Sequence, residues 1–513
     1  MPSTFNVGER TIQGGFFLVN QTNGKSAPFT ETKSLGDSYE HCFTYQGSGS
    51  TIKETALRLI RDARQKVFIA SFRIGDKDLL DALYKAVDRL RGGVYVISAL
   101  DESSLARGLQ DLDDDASIDI QAQKKDFTAL ARRGIYVRGH ECCHAKFIAV
   151  DDREALVSSA NLESSAFFRV KEGGRQRGPT GENGVIVRDR KQALLLSRLF
   201  TRMWFEECTW EILPSNSATA VAARKCTESP CTVMYRKPRN GGVVWTDDDE
   251  HFIVEAIHET IANTREDLIL STFSLNKMTE RPEFLIEPVA RLMKDRAPSA
   301  RLLLRVRNHF ATHRRDAGLL SSLGVQVFAD DLNHAKGIIS DRQRGVLFSA
   351  NFDADHGLCN GVEAGTILPP GSRAVQDAAD FFEHSMAHCR FRFLVNPSQA
   401  ELARDLAVGW QAPWPLSNVV KLATPVAVWN SFLQACEEGP VLFVENGEDK
   451  LTLLSGKAQF SLLPGPTKQE PMQLAHISEE TAQTGVVLDE WLNRHGPQDA
   501  CGGVCPAIFH LKA

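Results

Sequence analysis

The chain repeats part of itself, and that repeat restricts its fold more than any other feature. Residues 144–161, HAKFIAVDDREALVSSAN, align without gaps against 334–351, HAKGIISDRQRGVLFSAN, and eight of the eighteen positions are identical. Upstream the match continues more loosely. RRGIYVRG precedes the first copy and SLGVQVFA the second, and KVFIASFRI at 66–74 resembles DLILSTFSL at 267–275. Each of these two runs follows a helical pattern, TALRLIRDARQ in one and FIVEAIHETIANT in the other. Two copies of one supersecondary unit predict two equivalent lobes.

Each copy reads as a helix and a buried apolar strand (67–74; 268–275), then a second helix (77–91; 282–295) and a further strand (93–100; 301–307). A short helix, an edge-like strand (134–138; 324–328) and the motif strand with its hairpin partner follow. Strands alternating with helices predict α/β layering around a mixed sheet. Long helices at 189–210 and 372–389 close the lobes. The expected organisation is an N-terminal extension at 1–50, a first lobe at 51–212, a Ser-, Ala-, Pro-, Arg- and Gly-rich linker at 213–245 and a second lobe at 246–398. Residues 399–513 form a small C-terminal α+β domain of unassigned role, with a turn at Glu445-Asn446-Gly447.

At 513 residues the chain has room for about three domains. Its 42% hydrophobic and 24% charged composition is that of a globular protein. The formal net charge of −6 gives no bulk attraction to nucleic acid or anionic membranes, although a local basic groove can sit on an acidic protein. No stretch approaches the roughly 20 apolar residues of a membrane span, and MPSTFNVGERTIQGG lacks the basic start and apolar core of a secretory signal. A cytoplasmic protein is expected, and its eleven irregularly spaced cysteines fit reduced thiols. Cys226 with Cys231 and Cys501 with Cys505 are spaced for a disulfide or half a metal site, but neither has a second pair beside it, so no metal is expected there.

Both copies contain His-x-Lys-x-x-x-x-Asp, as His144, Lys146 and Asp151, and as His334, Lys336 and Asp341. On a strand, residues two apart face the same way, so His and Lys of each copy project together. The aspartate, seven positions beyond His, ends the strand and suits fixing the backbone better than attacking substrate. Ser159 and Asn161, and Ser349 and Asn351, sit two apart at the end of the returning strand. A glutamate then opens a strand-like run in each copy, Glu182 in ENGVIV and Glu363 in EAGTIL. Cleaving a phosphodiester needs a nucleophile on phosphorus and an acid for the leaving oxygen. An imidazole can serve as either, because its pKa lies near neutrality. Two lysines and two asparagines can hold the non-bridging oxygens, and a carboxylate on the far ring nitrogen would orient each histidine. Such a site requires no cofactor and no metal.

In these residues the chain resembles the phospholipase D superfamily, the so-called HKD enzymes. The resemblance covers roughly 50–395. It implies two α/β lobes related by pseudo-twofold symmetry, one site at their interface, and a covalent phosphohistidine. In two-motif members the first histidine usually attacks, which gives His144 the nucleophile role and His334 the acid role. The interval from Asn to Glu is longer in the first copy, where VKEGGRQRGPTG intervenes.

The superfamily includes enzymes acting on phospholipids, on DNA or RNA, and on protein–DNA adducts, and motif alone does not choose among them. A nuclease is the first reading. The inserted loop carries Arg169, Lys171, Arg175 and Arg177, and RVRNHFATHRRD at 305–316 interleaves Phe with basic residues, as suits a nucleic-acid strand. Soluble bacterial nucleases of this kind serve restriction, repair or phage defence. A phospholipase or phosphatidyltransferase is the second reading, but no interfacial amphipathic helix stands out. A nucleic-acid-binding protein with a silent site is the third. The C-terminal domain is a candidate surface for an accessory protein or self-association. The string His140-Glu-Cys-Cys-His144 looks metal-like, but the second copy has DDLNH there, so its cysteines read as packing. His384 and His388 read as a helix surface, and the Asp-rich 111–119 as a solvated loop.

Overall fold

The computed structural model describes residues 10–13, 15–20, 27–31, 37–100, 120–172, 175–216, 222–227, 229–231, 233, 235–305, 310–395, 401, 404–405, 407–411, 442–445, 451–455, 458–463, 473–477 and 508–511. They fall into two compact units, one built from 26–304 and 332–387, the other from 1–25, 305–331 and 388–513. Both copies of the motif lie in the first. Among the described residues no helix is long and apolar enough to cross a membrane.

In the larger unit the two copies build the same run of strands in the same register, a mixed α/β arrangement. Strands Val67–Ala70 and Asp267–Ser271 lead. Each pairs in parallel with the next strand of its copy, Val94–Ala99 or Ser299–Arg305. Parallel neighbours need a crossover, which helices Lys77–Val87 and Ile286–Asp295 provide. On the other side each pairs antiparallel with its motif strand, Phe147–Val150 or Gly337–Ser340. The motif strand turns back into Glu154–Ser158 or Arg344–Phe348, beside which run Glu182–Val187 and Glu363–Leu368. Val67–Ala70, Phe147–Val150 and Gly337–Ser340 are buried at every position, as strands covered on both faces must be. Helix Thr51–Asp62 supplies part of that cover: Ile52, Ala56, Leu59 and Ile60 form its buried stripe, and Ser50 caps it by accepting the Lys53 N–H.

Two segments read from sequence as extension and linker join this framework. Tyr39–Tyr45 pairs with Glu182–Val187, and Gly242–Thr246 pairs with Glu363–Leu368. Their registers correspond, with Thr44 opposite Glu182 and Thr246 opposite Glu363. YEHCFTY and GVVWT share too few residues for an alignment to expose that equivalence. The expected 189–210 helix ends at Arg202, passes through a π-helical turn at Met203–Glu207, and gives way to strand Trp210–Leu213. That strand pairs with Tyr136–His140 on one side and Ala222–Lys225 on the other, so the expected edge strand is covered. Helix Arg373–Ala387 carries His384, whose Nε2 donates to the Ala27 carbonyl at 2.8 Å and whose ring meets Tyr45, so this histidine is a packing residue.

The repeated aspartate closes the motif hairpin. Asp151 and Asp152, like Asp341 and Arg342, adopt φ between 51° and 55° at the two central positions of a tight turn. The turn closes by Arg153 N–H to Val150 O and Gln343 N–H to Ser340 O. Aspartate tolerates the left-handed region better than most residues, and here it is held by added bonds. The Asp151 carboxylate accepts the N–H groups of Arg64, Gln65 and Lys66 at 2.7–3.0 Å. Asp341 accepts those of Arg265, Glu266 and Asp267. Partial burial would raise the Asp341 carboxyl, but the three amides outweigh it and hold it below the usual range. Asp341→Ala is therefore expected to cost about 1.5–3 kcal/mol, read as a lower denaturation midpoint. Because the folded pKa is depressed, this stabilisation is complete at neutral pH. The gap to the variant should close as pH falls through the lowered value.

The smaller unit places strands Gln326–Asp330, Phe391–Val395, Gly15–Asn20 and Trp410–Gln411 side by side, all antiparallel. It also holds an antiparallel meander of Leu442–Glu445, Leu451–Ser455, Ala458–Leu463 and Gln473–Ile477. The Asn446-Gly447 turn lies outside the described residues, but the strands flanking it pair as a hairpin requires. Residues 111–119, 306–309 and Cys501 with Cys505 also lie outside them.

Candidate active site

Each His-x-Lys pair sits immediately before its motif strand, at the end opposite the aspartate turn. His144, Lys146, His334 and Lys336 are 7%, 1%, 4% and 0% exposed. Each lysine folds back on its own histidine, Lys146 Nζ donating to His144 O at 2.8 Å and Lys336 Nζ to His334 O at 2.9 Å. A buried ammonium is tolerated only with acceptors and counter-charge close by.

The two halves exchange glutamates. His144 Nδ1 lies 2.6 Å from Glu363 Oε1, and His334 Nδ1 lies 2.9 Å from Glu182. Both carboxylates are 1% exposed. Main-chain bonds bring them there. His144 N–H donates to Val362 O and Val362 N–H to Cys142 O, while His334 N–H donates to Gly181 O and Gly181 N–H to Leu332 O. The second oxygen of each carboxylate is also engaged. Ser349 donates to Glu363 and Ser159 to Glu182, and Thr180 adds a bond of 2.6 Å to Glu182. Burial alone would push the Glu182 carboxyl up. The His334 imidazole, the Lys336 ammonium and the Ser159 hydroxyl together hold it below the usual glutamate range.

Asn161 and Asn351 end the returning strands, 4% and 6% exposed, and each has a carboxamide oxygen with no hydrogen-bond partner. An orphaned polar atom that deeply buried asks for a partner the protein does not supply. Ser71 and Thr272 fix the chain just beyond, accepting the N–H groups of Leu162 and Phe352. The structure thus joins His144 to Glu363 and Ser349, and His334 to Glu182 and Ser159, with Lys146 and Lys336 each bonded to its own histidine. Asp151 and Asp341 lie at the far ends of the motif strands, on main-chain amides.

Sequence reading missed several neighbours. Phe72 stands edge-on to His144 with ring centroids 5.7 Å apart, and Phe273 to His334 at 5.0 Å. These phenylalanines align in FIASFRI and LILSTFSL, a signal read there only as strand. Asn183, the residue after Glu182, was also missed.

The metal-like string does not assemble as a ligand set. Cys142 N–H donates to His140 Nδ1, His140 Nε2 faces Glu207 at 3.5 Å, and Cys143 is fully buried with burial pushing its thiol up to about 12. Among the described residues no group of three or more His, Cys, Asp or Glu is arranged to hold a metal ion. The insertion forms an antiparallel ribbon, Val170–Glu172 with Arg175–Arg177, preceded by exposed Arg169. The side chains of Lys171, Arg175 and Arg177 lie outside the described residues.

Residues 56–204 match the family model described as "Cardiolipin synthase, PLD-like domain". No curated protein matches the chain. Among solved structures, the phosphatidylserine synthase of Haemophilus influenzae Rd KW20 is 13% identical at a TM-score of 0.46, over 76% of this chain and 96% of that one. Polyphosphate kinase from Porphyromonas gingivalis is 14% identical at 0.40, over 67% of this chain and 50% of the kinase. Nuc, a phospholipase D family member from Salmonella typhimurium, is 20% identical at 0.24, over 32% of this chain and 94% of Nuc.

Proposed function

We propose that this chain, whose residues 56–204 match a phospholipase D-like family model, cleaves phosphodiesters through a covalent phosphohistidine and that its substrate is a nucleic acid. The observation that carries the reaction is the exchange of glutamates between halves. With Nδ1–H bound by a buried carboxylate, each imidazole is fixed in the tautomer that turns Nε2 to the reacting group. His144 Nε2 attacks phosphorus, and the bond from phosphorus to the leaving oxygen breaks as His334 gives that oxygen its Nε2 proton. His334 then takes a proton from water as the water attacks the phosphohistidine, and the P–N bond breaks. Lys146, Lys336, Asn161 and Asn351 hold the non-bridging oxygens while charge shifts among them. Ser159 and Ser349 steady the glutamates.

On this mechanism protein groups perform each step that a metal would otherwise assist. Turnover is expected to persist in excess EDTA. A loss of bond cleavage that magnesium or zinc restores would contradict it.

Support for nucleic acid comes from the basic ribbon. Its chain runs from Arg177 through Thr180 and Gly181, which are bonded to Glu182 and to the His334 segment, so the ribbon is continuous with the strand that carries Glu182. A second reading, transfer or hydrolysis at a phospholipid, is favoured by the description of the matching family model. Plasmid DNA, RNA and phosphatidylcholine vesicles, assayed side by side in EDTA, separate the two. A further expectation concerns salt. Each basic side chain that neutralises a phosphate releases counterions, so binding should weaken steeply as salt rises. Replacing Arg169, Lys171, Arg175 and Arg177 together by Ser should flatten that slope and weaken binding to all sequences alike. Identical DNA-binding titrations for wild type and the quadruple variant at two salt concentrations would reject the ribbon as a nucleic-acid contact.

A further inference from the structure

The strand that brings Glu182 to His334 also reaches Lys336. Along one strand, Gly181, Glu182 and Asn183 meet His334 and Lys336 in turn. His334 N–H donates to Gly181 O at 2.8 Å, and Glu182 takes His334 Nδ1 at 2.9 Å. The Asn183 carboxamide then closes on the main chain of Lys336, accepting its N–H at 3.2 Å and donating to its carbonyl at 3.2 Å. On the other side Val362 and Glu363 meet His144 in the same way, at 3.0 and 2.6 Å. The next residue there is Ala364, which carries no polar group to reach Lys146. The sheet bond to each lysine carbonyl is present in both halves, from Ser158 to Lys146 and from Phe348 to Lys336. Ala364, at the position equivalent to Asn183, cannot form the carboxamide clamp.

Asn183 is 1% exposed, so the clamp works where no bulk water competes. Lys336 in turn ties Nζ to the His334 carbonyl at 2.9 Å. Fixing the Lys336 main chain therefore fixes the two-residue segment that carries the imidazole. We infer that Asn183 is a positioning residue that fixes the segment carrying His334 and Lys336 for the acid's role. The assignment rests on the reading of the paired histidines as a phosphodiester-cleaving centre. An acid must meet the leaving oxygen in one geometry, and alignment governs its efficiency.

The test uses the full chain with Asn183→Ala and the smaller polar change Asn183→Ser, each checked for its thermal midpoint. The serine variant carries both measurements if the alanine variant does not fold. With nitrogen-15 histidine, the NMR titration of His334 should move downward as its hold on Glu182 loosens, while that of His144 stays in place. In single-turnover measurements, phosphorylation of His144 by bis(p-nitrophenyl) phosphate, whose leaving group needs little acid, should slow by less than about threefold. The same step with a dinucleotide diester, which needs the acid, should slow about tenfold or more. Either of two results overturns the assignment: both histidines titrating as in wild type or shifting together, or both substrates slowing alike. Wild-type inactivity on every diester would sink the phosphodiesterase reading instead, and the titration would still decide the role of Asn183.

Discussion

Turnover should fall by at least about 10³-fold in kcat when either His144 or His334 is replaced. Alanine at these positions leaves Glu363 or Glu182 buried without its imidazole, which is costly in itself. Asparagine keeps a hydrogen-bond partner for the carboxylate and so separates lost chemistry from lost fold. The two losses should differ in kind. With an activated diester, the His334 variant can still be phosphorylated at His144, because that leaving group departs without an acid. It then stalls, since no base activates water, and an acid-labile, base-stable phosphohistidine should accumulate. The His144 variant should form no adduct at all. Mass spectrometry of the trapped protein reads both outcomes. An adduct on His334 would reverse the roles, and substantial turnover in either variant would reject one shared site.

How far the sequence could anticipate this arrangement depended on what each residue answers to. The motif strands and hairpins were legible because His, Lys, Asp, Ser and Asn recur at fixed intervals, and those intervals are set by strand periodicity and a two-residue turn. The backbone-fixing aspartate was legible for the same reason. The strands Tyr39–Tyr45 and Gly242–Thr246 were not, because YEHCFTY mixes polar and apolar residues without a strand signature and shares almost no letters with GVVWT. Nor could a linear reading say which glutamate meets which histidine. Glu182 lies 38 positions after His144 but bonds His334, 152 positions on, a choice made by the docking of the halves at Gly181 and Val362. The break at Met203 escaped detection because TRMWFEE continues a helical pattern, and the turn is decided by packing, with Arg138 lying over the Trp204 ring at 4.6 Å.

Replacing the exchanged glutamates should produce the second-largest loss, and the two losses should leave opposite marks on the pH profile. A carboxylate on Nδ1 fixes the tautomer, and neutralising an equivalent carboxylate in a hydrolase triad costs about 10⁴ in kcat, so roughly 10²–10⁴ is expected here. Glu→Gln also removes a negative charge that favours the imidazolium, so the partner histidine's pKa must fall. Glu182→Gln lowers that of His334, which has to be protonated to act as acid, so the alkaline limb of kcat/KM should move to lower pH. Glu363→Gln lowers that of His144, which has to be neutral to attack, so the acid limb should move to lower pH while the plateau drops. Glu182 itself stays ionised at neutral pH, because its folded pKa is depressed by His334, Lys336 and Ser159 against the opposing effect of burial. The stability it contributes is therefore complete above the usual glutamate range and lost as pH falls through its lowered value. The profiles of the two variants, compared with wild type, check the assignment. Limbs that move in the reverse pattern would exchange the roles of His144 and His334, and limbs that do not move would mean the glutamates hold the fold without tuning the chemistry.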